Sequence, residues 1–382
     1  MLFGSCGCGA MPISRRGLLC AGGAGFVSAL TATLVGASQT AQAQELTAHV
    51  PEVDYLAVRI VTDNRVVLFV PSEQRSGLNI ERRVGPNLSQ DSPPGTDLGG
   101  EFGLAMHAQS RRGDEERNVL VDFGYTPEIL LNNLAILKID SSRLDALVLS
   151  HGHYDHFGGL VGFLAANKGK LKADLPFFVG GEDCFCTREN IFGQFGALDR
   201  RAIIDANLLL MTAQAPAVVA DHAFTSGKIA QVSFEKPLLP TKEKVGVVNG
   251  FGCFPDKMSA VKNTGAFIPD DFEHEISTNF IVKGRGLVVL TSCSHRGIIN
   301  TIRQAQAVSG IQKVHAVIGG FHIVPPLDDT YIRQVIATLQ EINPDYLIPG
   351  HCSGDRFYDL ARDAMPDKVI HSAVGMRLVF TA

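Results

Sequence analysis

The chain has 382 residues, of which 45% are hydrophobic and 19% charged, with 39 Gly, 22 Phe and no Trp. A composition this apolar excludes a disordered protein, and the length fits one large or two ordinary domains. The formal charge is −5, with 34 basic and 39 acidic side chains and no basic stripe. That balance argues against a nucleic-acid partner, and the lack of any internal repeat removes solenoids and propellers.

Residues 1–43 read as an export signal. Ser14-Arg15-Arg16-Gly17-Leu18-Leu19 precedes a mildly apolar Gly/Ala-rich run to about Thr40, and Ala41-Gln42-Ala43 has the small-x-small pattern of a signal-peptidase site. Paired arginines before a weak apolar core are similar to a twin-arginine signal, so the twin-arginine export machinery is an expected partner. The expected location is periplasmic or otherwise exported. Gly, Ser and Thr interrupt the run throughout, so no stable membrane span is expected. Cleavage there moves the formal charge to −7 and leaves five cysteines, an odd and sparse set that is no disulfide framework, although an exported compartment permits a bridge.

Residues 44–382 are expected to form a single domain. Strand-like runs recur at 55–61, 66–70, 118–121, 146–150, 286–290, 314–318 and 346–348. They are rich in Val, Ile and Leu with little alternation, the pattern of strands buried on both faces. Residues 75–101 read as an exposed loop. Ile332, Val335, Ile336, Leu339 and Ile342 follow helical spacing, and Asn343-Pro344 stops that helix. The layout predicts an α/β fold with helices outside and sheet against sheet in the middle. The weakly periodic segment from about 170 to 274 is expected to be an insertion forming a pocket wall or lid, with Phe177, Phe178, Phe185, Phe251, Phe254 and Phe267 as candidate wall residues.

The strand at 146–150 runs directly into His151-Gly152-His153-Tyr154-Asp155-His156-Phe157-Gly158-Gly159. In extended backbone, residues two apart point the same way, so His151 and His153 can grip one ion. The chain must then turn, bringing Asp155 and His156 beside it. Three imidazoles and a carboxylate in six residues suit zinc, one or two ions, and also iron or manganese. Three later strands end similarly, in Ser292-Cys293-Ser294-His295, Gly319-Gly320-Phe321-His322 and Gly350-His351-Cys352. Ligands in open α/β sheets sit at the carboxyl ends of strands, so His295 and His351 are candidate metal ligands and His322 a substrate contact. Asp122, which closes the strand at 118–121, is a natural partner for the outer nitrogen of a metal-bound imidazole, and serves equally well as a helix N-cap.

These motifs resemble the metallo-β-lactamase superfamily: a strand, an H-x-H-x-D-H loop and later strand-end histidines. Ser292–Asn300, Gly319–His322 and Pro349–Gly354 are similar to the branch of dihydropterin–aminobenzene phosphate synthases. The resemblance implies a four-layered αβ/βα sandwich with a two-metal centre between the sheets. It implies that His151, His153 and a later histidine hold one metal, and Asp155, His156 and His351 the other. The later histidine is His295 or His274, with His295 favoured because it follows a firm strand; Cys293, nineteen residues after His274, is an alternative ligand. The superfamily's usual bridging aspartate is replaced by Gly319–His322, which predicts a second metal position that is weaker or absent. The expected activity is that of an exported metallohydrolase acting on a small molecule, with Asp155 as proton acceptor and His322 as oxyanion donor. The alternatives are a condensing transferase of the branch's type, an iron-dependent oxidoreductase, and a metal-binding protein without catalysis.

Overall fold

Along the strand Ala146–Leu149, successive side chains go to opposite sides of the sheet, and both sides are apolar. Ala146 and Val148 enter a cluster with Val58, Ile60, Phe280, Val288, Leu290, Ile318 and Ile348, residues drawn from two different sheets. Leu147 and Leu149 enter a second cluster, with Leu130, Leu134, Leu160 and Phe163 of the helices Pro127–Ile136 and Leu160–Ala166. On the far side, Leu287, Val289, Val317 and Leu347 meet Ile302, Val335, Leu339 and Leu360 of the helices Ile298–Ser309, Asp329–Ile342 and Asp355–Ala364. Helix, sheet, sheet and helix therefore stack in four layers, and this explains why the strands show no alternation. Each fully buried Leu, Ile or Val contributes about 1.5–3 kcal/mol.

The computed structural model describes residues 41–42, 50–83 and 97–382. Nearly all of the segment read as an export signal, and residues 84–96 of the expected loop, lie outside the described residues. The first sheet runs, in spatial order, Ala41–Gln42, Leu209–Thr212, Pro176–Val179, Ala146–Leu149, Glu115–Val121, Ala105–Arg112, Tyr55–Thr62, Arg377–Thr381, Leu78–Glu81 and Glu73–Arg75. The second runs Val218–Val219, Ala223–Thr225, Thr278–Val282, Gly286–Thr291, Val314–Gly319 and Tyr346–Pro349, with Glu52–Val53 also paired to Thr278–Val282. Its last three strands are mutually parallel, with Thr291, Gly319 and Pro349 in register at their carboxyl ends. Among the described residues no helix is long and apolar enough to cross a membrane.

Two local expectations change. Residues 66–70 form no strand: Val66, Leu68, Phe69 and Val70 are exposed, because the preceding strand ends at Thr62 and Asp63 is committed elsewhere, as described below. The expected loop at 75–101 contains instead the hairpin Glu73–Arg75/Leu78–Glu81, whose Leu78 and Ile80 join the inter-sheet core. The helix Asp329–Ile342 forms as its spacing predicts, capped by the Asp328 side chain on Tyr331 N and ended by Asn343 at φ 57°.

Within 170–274, the strands Pro176–Val179 and Leu209–Thr212 belong to the first large sheet, which puts Phe177 and Phe178 in the core. The stretches between and after them build a smaller antiparallel sheet: Gly193–Gly196, Thr187–Asn190, Lys242–Lys244 and Ile268–Pro269. A disulfide, Cys186–Cys253, ties this sheet to the hairpin Gly246–Val248/Phe251–Cys253. Arg188 is wholly buried behind it, held by Asp270 at 2.6 Å and Glu243 at 3.5 Å.

Candidate metal centre

Four strand-end loops meet at one edge of the sandwich. After Ala146–Leu149, His151 and His153 leave extended backbone and His153 N-caps the short helix Tyr154–Phe157, which carries Asp155 and His156. That helix lies tight on the strand end, since a Cβ on Gly159 would come within 2.1 Å of Phe123 O. Gly286–Thr291, Val314–Gly319 and Tyr346–Pro349 deliver Cys293 and His295, His322, and His351 and Cys352.

These side chains converge. His151, His153 and His295 form one group whose ligand atoms lie within 4.8 Å of one another; Asp155, His156 and His351 form another. Ring centroids are 4.7 Å apart for His151–His153, 4.9 Å for His151–His295 and 4.7 Å for His153–His295. His351 Nε2 lies 3.3 Å from Asp155 Oδ2, and His156 Nε2 3.6 Å from the same oxygen. His322 stands beside His295, with centroids 4.1 Å apart.

The outer nitrogens are fixed by their surroundings. Asp122 Oδ2 accepts from His156 Nδ1 at 2.8 Å and from Ser150 Oγ at 2.7 Å, while Oδ1 accepts from Ser150 N. Ser150 Oγ also contacts His151 Nδ1 at 2.9 Å, and Thr241 Oγ1 contacts His153 Nε2 at 3.0 Å. The nitrogens turned inward are His151 Nε2, His156 Nε2 and His153 Nδ1. Carboxylates and hydroxyls behind metal-bound imidazoles fix ring orientation in this way.

Electrostatics divides the rings: burial favours the neutral form of His151, His153 and His295, whereas for His351 Cys352 and Asp155 outweigh burial and raise it to about 9. Burial, reinforced by the rings of His156, His153 and His295, pushes His151 well below the usual imidazole range. Burial and the neighbouring His322 do the same to His295, and burial takes His153 down to about 3. Burial opposes charge on Asp155, but His156 and His351 outweigh it and hold the carboxyl well below its usual range. His151 Nε2, both ring nitrogens of His295 and of His351, and His322 Nδ1 are buried without a hydrogen-bond partner among the described residues. A buried polar atom left unpaired costs about 1–3 kcal/mol, and such nitrogens on four clustered imidazoles, beside an ionised carboxylate, fit a divalent cation.

Of the two candidates for the later histidine, His295 is the one grouped with His151 and His153. His274 is turned into the ion network under the small sheet, with Arg188 Nη2 3.0 Å from its Nε2, and that guanidinium opposes a second cation there. Several supporting residues gave no sequence signal. Asp63 Oδ1 accepts from His351 N at 2.9 Å, Asn64 Nδ2 donates to His351 O, and Phe272 stacks on His295 at 4.0 Å.

A cavity of about 510 Å³ opens over the cluster. Its floor is His153, Asp155, Cys293, His295, His322 and Cys352, and its wall is Phe102, Tyr125, Tyr154, Phe195 and Pro240. The phenylalanines expected in that wall lie elsewhere: Phe177, Phe178 and Phe185 are core residues, and Arg200 covers Phe185 and Phe254. Of the segment 170–274, Asn190, Phe195, Pro240 and Thr241 do reach the cavity. No Lys or Arg lines it among the described residues.

The four layers and the histidine-rich strand ends agree with the family model of the metallo-β-lactamase superfamily, which matches residues 111–172. Superfamily members are mostly metallohydrolases and usually bind divalent metals such as zinc. Within that class the chain is similar to the 7,8-dihydropterin-6-methyl-4-(β-D-ribofuranosyl)-aminobenzene-5'-phosphate synthase of Methanocaldococcus jannaschii, with 28% identity over 263 residues, 66% of this chain and 81% of that protein. An uncharacterized protein of the same organism is 26% identical over 260 residues, 68% of this chain and 87% of its own. The crystal structure of a metal-dependent hydrolase of the β-lactamase superfamily superposes with a TM-score of 0.60 at 19% identity, covering 84% of this chain and 98% of that one.

Proposed function

We propose that the chain is an exported metal-dependent hydrolase acting on the carbonyl or phosphoryl centre of a small, weakly charged molecule. One observation carries the reading: the buried imidazoles of His151, His153 and His295, held in the neutral form, converge with an ionised Asp155 under an aromatic-walled cavity. His151, His153 and His295 would hold one divalent cation, and Asp155, His156 and His351 a second. Such a cation supplies Lewis acidity and brings the ionisation of a coordinated water from 15.7 to about 7. Asp155, which lines the cavity, would orient an attacking water and accept its proton at a carboxylate oxygen. His322 is placed to donate toward the oxygen that gains charge. Phe102, Tyr125, Tyr154 and Phe195 exclude bulk water and present an apolar surface to the substrate. Export is supported by the paired arginines and by the Cys186–Cys253 disulfide, which suits an oxidising compartment.

The similarity to a synthase favours a second reading, condensation at the same centre. Among the described residues no Lys or Arg lines the wall, which argues against a multiply anionic phosphate monoester or pyrophosphate there, since such groups are usually met by fixed cations. The test uses the purified protein on aryl esters, lactones and phosphodiesters, with and without chelator. Expected are turnover lost on chelation and restored by zinc, and a fall of about 10²–10⁴-fold in Asp155→Asn. Turnover indifferent to both treatments would overturn the hydrolase reading, and pyrophosphate release from a pterin substrate would replace it.

A further inference from the structure

Cys293 and Cys352 lie 59 residues apart in sequence, yet their sulfurs are in contact at 3.2 Å beneath the cavity. Each follows a strand end, on either side of Val314–Gly319 in the second sheet. The glycines ending that middle strand make the contact feasible. A Cβ on Gly320 would come within 2.7 Å of Cys352 Sγ and 2.2 Å of Ser292 O, and one on Gly319 within 1.7 Å of Thr291 O. The strand end that lacks a carboxylate is therefore also the one that admits a pair of thiols.

The pair sits among the unpartnered nitrogens. Cys293 Sγ is 3.2 Å from His156 Nε2, and its ligand atom groups within 4.8 Å with those of His151 and His156, of His295 and His322, and of His351 and Cys352. No other residue in those groups belongs to all three. Among the described residues His351 Nδ1 and His322 Nδ1 are buried without a hydrogen-bond partner, while His351 Nε2 faces Asp155 Oδ2 at 3.3 Å. Cys184 shows what a merely structural cysteine does in this fold: it packs in the helix-facing apolar cluster, with a weak contact to His274 O.

We propose that Cys293 and Cys352 are a chelating thiolate pair which, with His351, completes a sulfur-containing metal site, so that the centre takes a borderline-soft divalent cation such as Zn(II) or Co(II) over Mg(II) or Mn(II). Thiolate and imidazole donors together favour such ions, whereas hard cations prefer carboxylate, carbonyl and water. On binding, the two S–H bonds break, two metal–sulfur bonds form, and two protons leave to solvent. This rests on the reading that the cluster holds metal, and does not depend on hydrolysis.

The test is to strip the full chain with chelator, reconstitute it with Co(II) and record its absorption. Expected is an intense near-ultraviolet sulfur-to-cobalt charge-transfer band, reduced in Cys293→Ser and in Cys352→Ser, absent from the double variant and retained in Cys184→Ala. Alkylation of the wild type followed by mass spectrometry gives a readout that needs no variant to fold: zinc should protect Cys293 and Cys352 and leave protection of Cys184 unchanged. Cobalt bound with visible d–d bands but no thiolate band, or a band that survives in the double variant, overturns the proposal and leaves the hydrolase reading standing. A thiolate band in a protein that hydrolyses nothing does the reverse, and failure to bind cobalt overturns both.

Discussion

Glu275 holds the loop that presents His295: its Oε1 accepts from His295 N and its Oε2 from Arg296 N, each at 2.8 Å. The carboxylate is buried, and burial raises its pKa even though both amides pull the other way. Glu275→Ala leaves two buried N–H groups unpaired, at about 1–3 kcal/mol each. Expected are a lower Tm and a loss of metal at the His151–His153–His295 group, measured by calorimetry and by metal content after dialysis. Glu275→Gln keeps one acceptor and should fall between wild type and Ala. An Ala variant with full metal content would show that His295 holds its place without Glu275.

Asp122 acts on the opposite side of the centre. Its two oxygens accept three hydrogen bonds from Ser150 and His156, so it fixes the tautomer that leaves His156 Nε2 facing inward. Asp122→Asn places an NH₂ against a ring N–H or a serine donor. Metal affinity should drop about 10–100-fold with little change in far-ultraviolet circular dichroism, as read by competition against a chromophoric chelator. Unchanged affinity would mean that the ring is held by packing alone.

What the sequence displayed and what it hid follow from distance along the chain. His151, His153, Asp155 and His156 occupy one strand-turn-helix, so period-two geometry and a single turn suffice to place them together. The helix at 329–342 was equally legible, because its capping and its apolar stripe are local. Asp63 and His351 are 288 residues apart and meet only because the strand Tyr55–Thr62 ends beside Tyr346–Pro349. Nothing near Asp63 announces that role, and the apolar run after it looked like a strand for the same reason. Phe177 and Phe178 look like wall residues in a weakly periodic segment, yet parallel pairing with Ala146–Leu149 draws them into the core. Cys352 was visible within its motif, but its partner is fixed by sheet order and by the bare Gly320.

The Cys186–Cys253 disulfide closes a long loop over the small sheet that supplies Asn190 and Phe195 to the cavity. Loop closure of this kind contributes about 2–4 kcal/mol, chiefly by restricting the unfolded chain. Cys186→Ser/Cys253→Ser should lower the denaturant midpoint by that amount and speed proteolysis within 186–253, leaving the metal content of the folded fraction unchanged. Equal midpoints for oxidised and reduced protein would show that the bond adds nothing to stability.

Glu235 makes the stability depend on pH, away from the metal centre. The helix Ile298–Ser309 begins at Gly297, which has no side chain to cap it and whose φ is +98°. Glu235 supplies the cap from elsewhere in the chain, its Oε2 accepting from Ile299 N at 2.9 Å, Asn300 N at 3.2 Å and Ser233 Oγ at 3.1 Å. Burial is the larger effect and pushes the carboxyl up from 4.5 to about 7 despite those donors. Below pH 4.5 both folded and unfolded chains hold the proton, so nothing is lost. As pH rises from 4.5 towards 7 the unfolded chain releases it first, and the folded state loses up to about 3 kcal/mol of relative stability. Glu235→Gln keeps an acceptor oxygen and cannot ionise, so its stability relative to wild type should rise between pH 5 and pH 8. Parallel stability curves for the two proteins across that window, measured by urea unfolding, would show that the helix amides hold Glu235 ionised at neutral pH in spite of its burial.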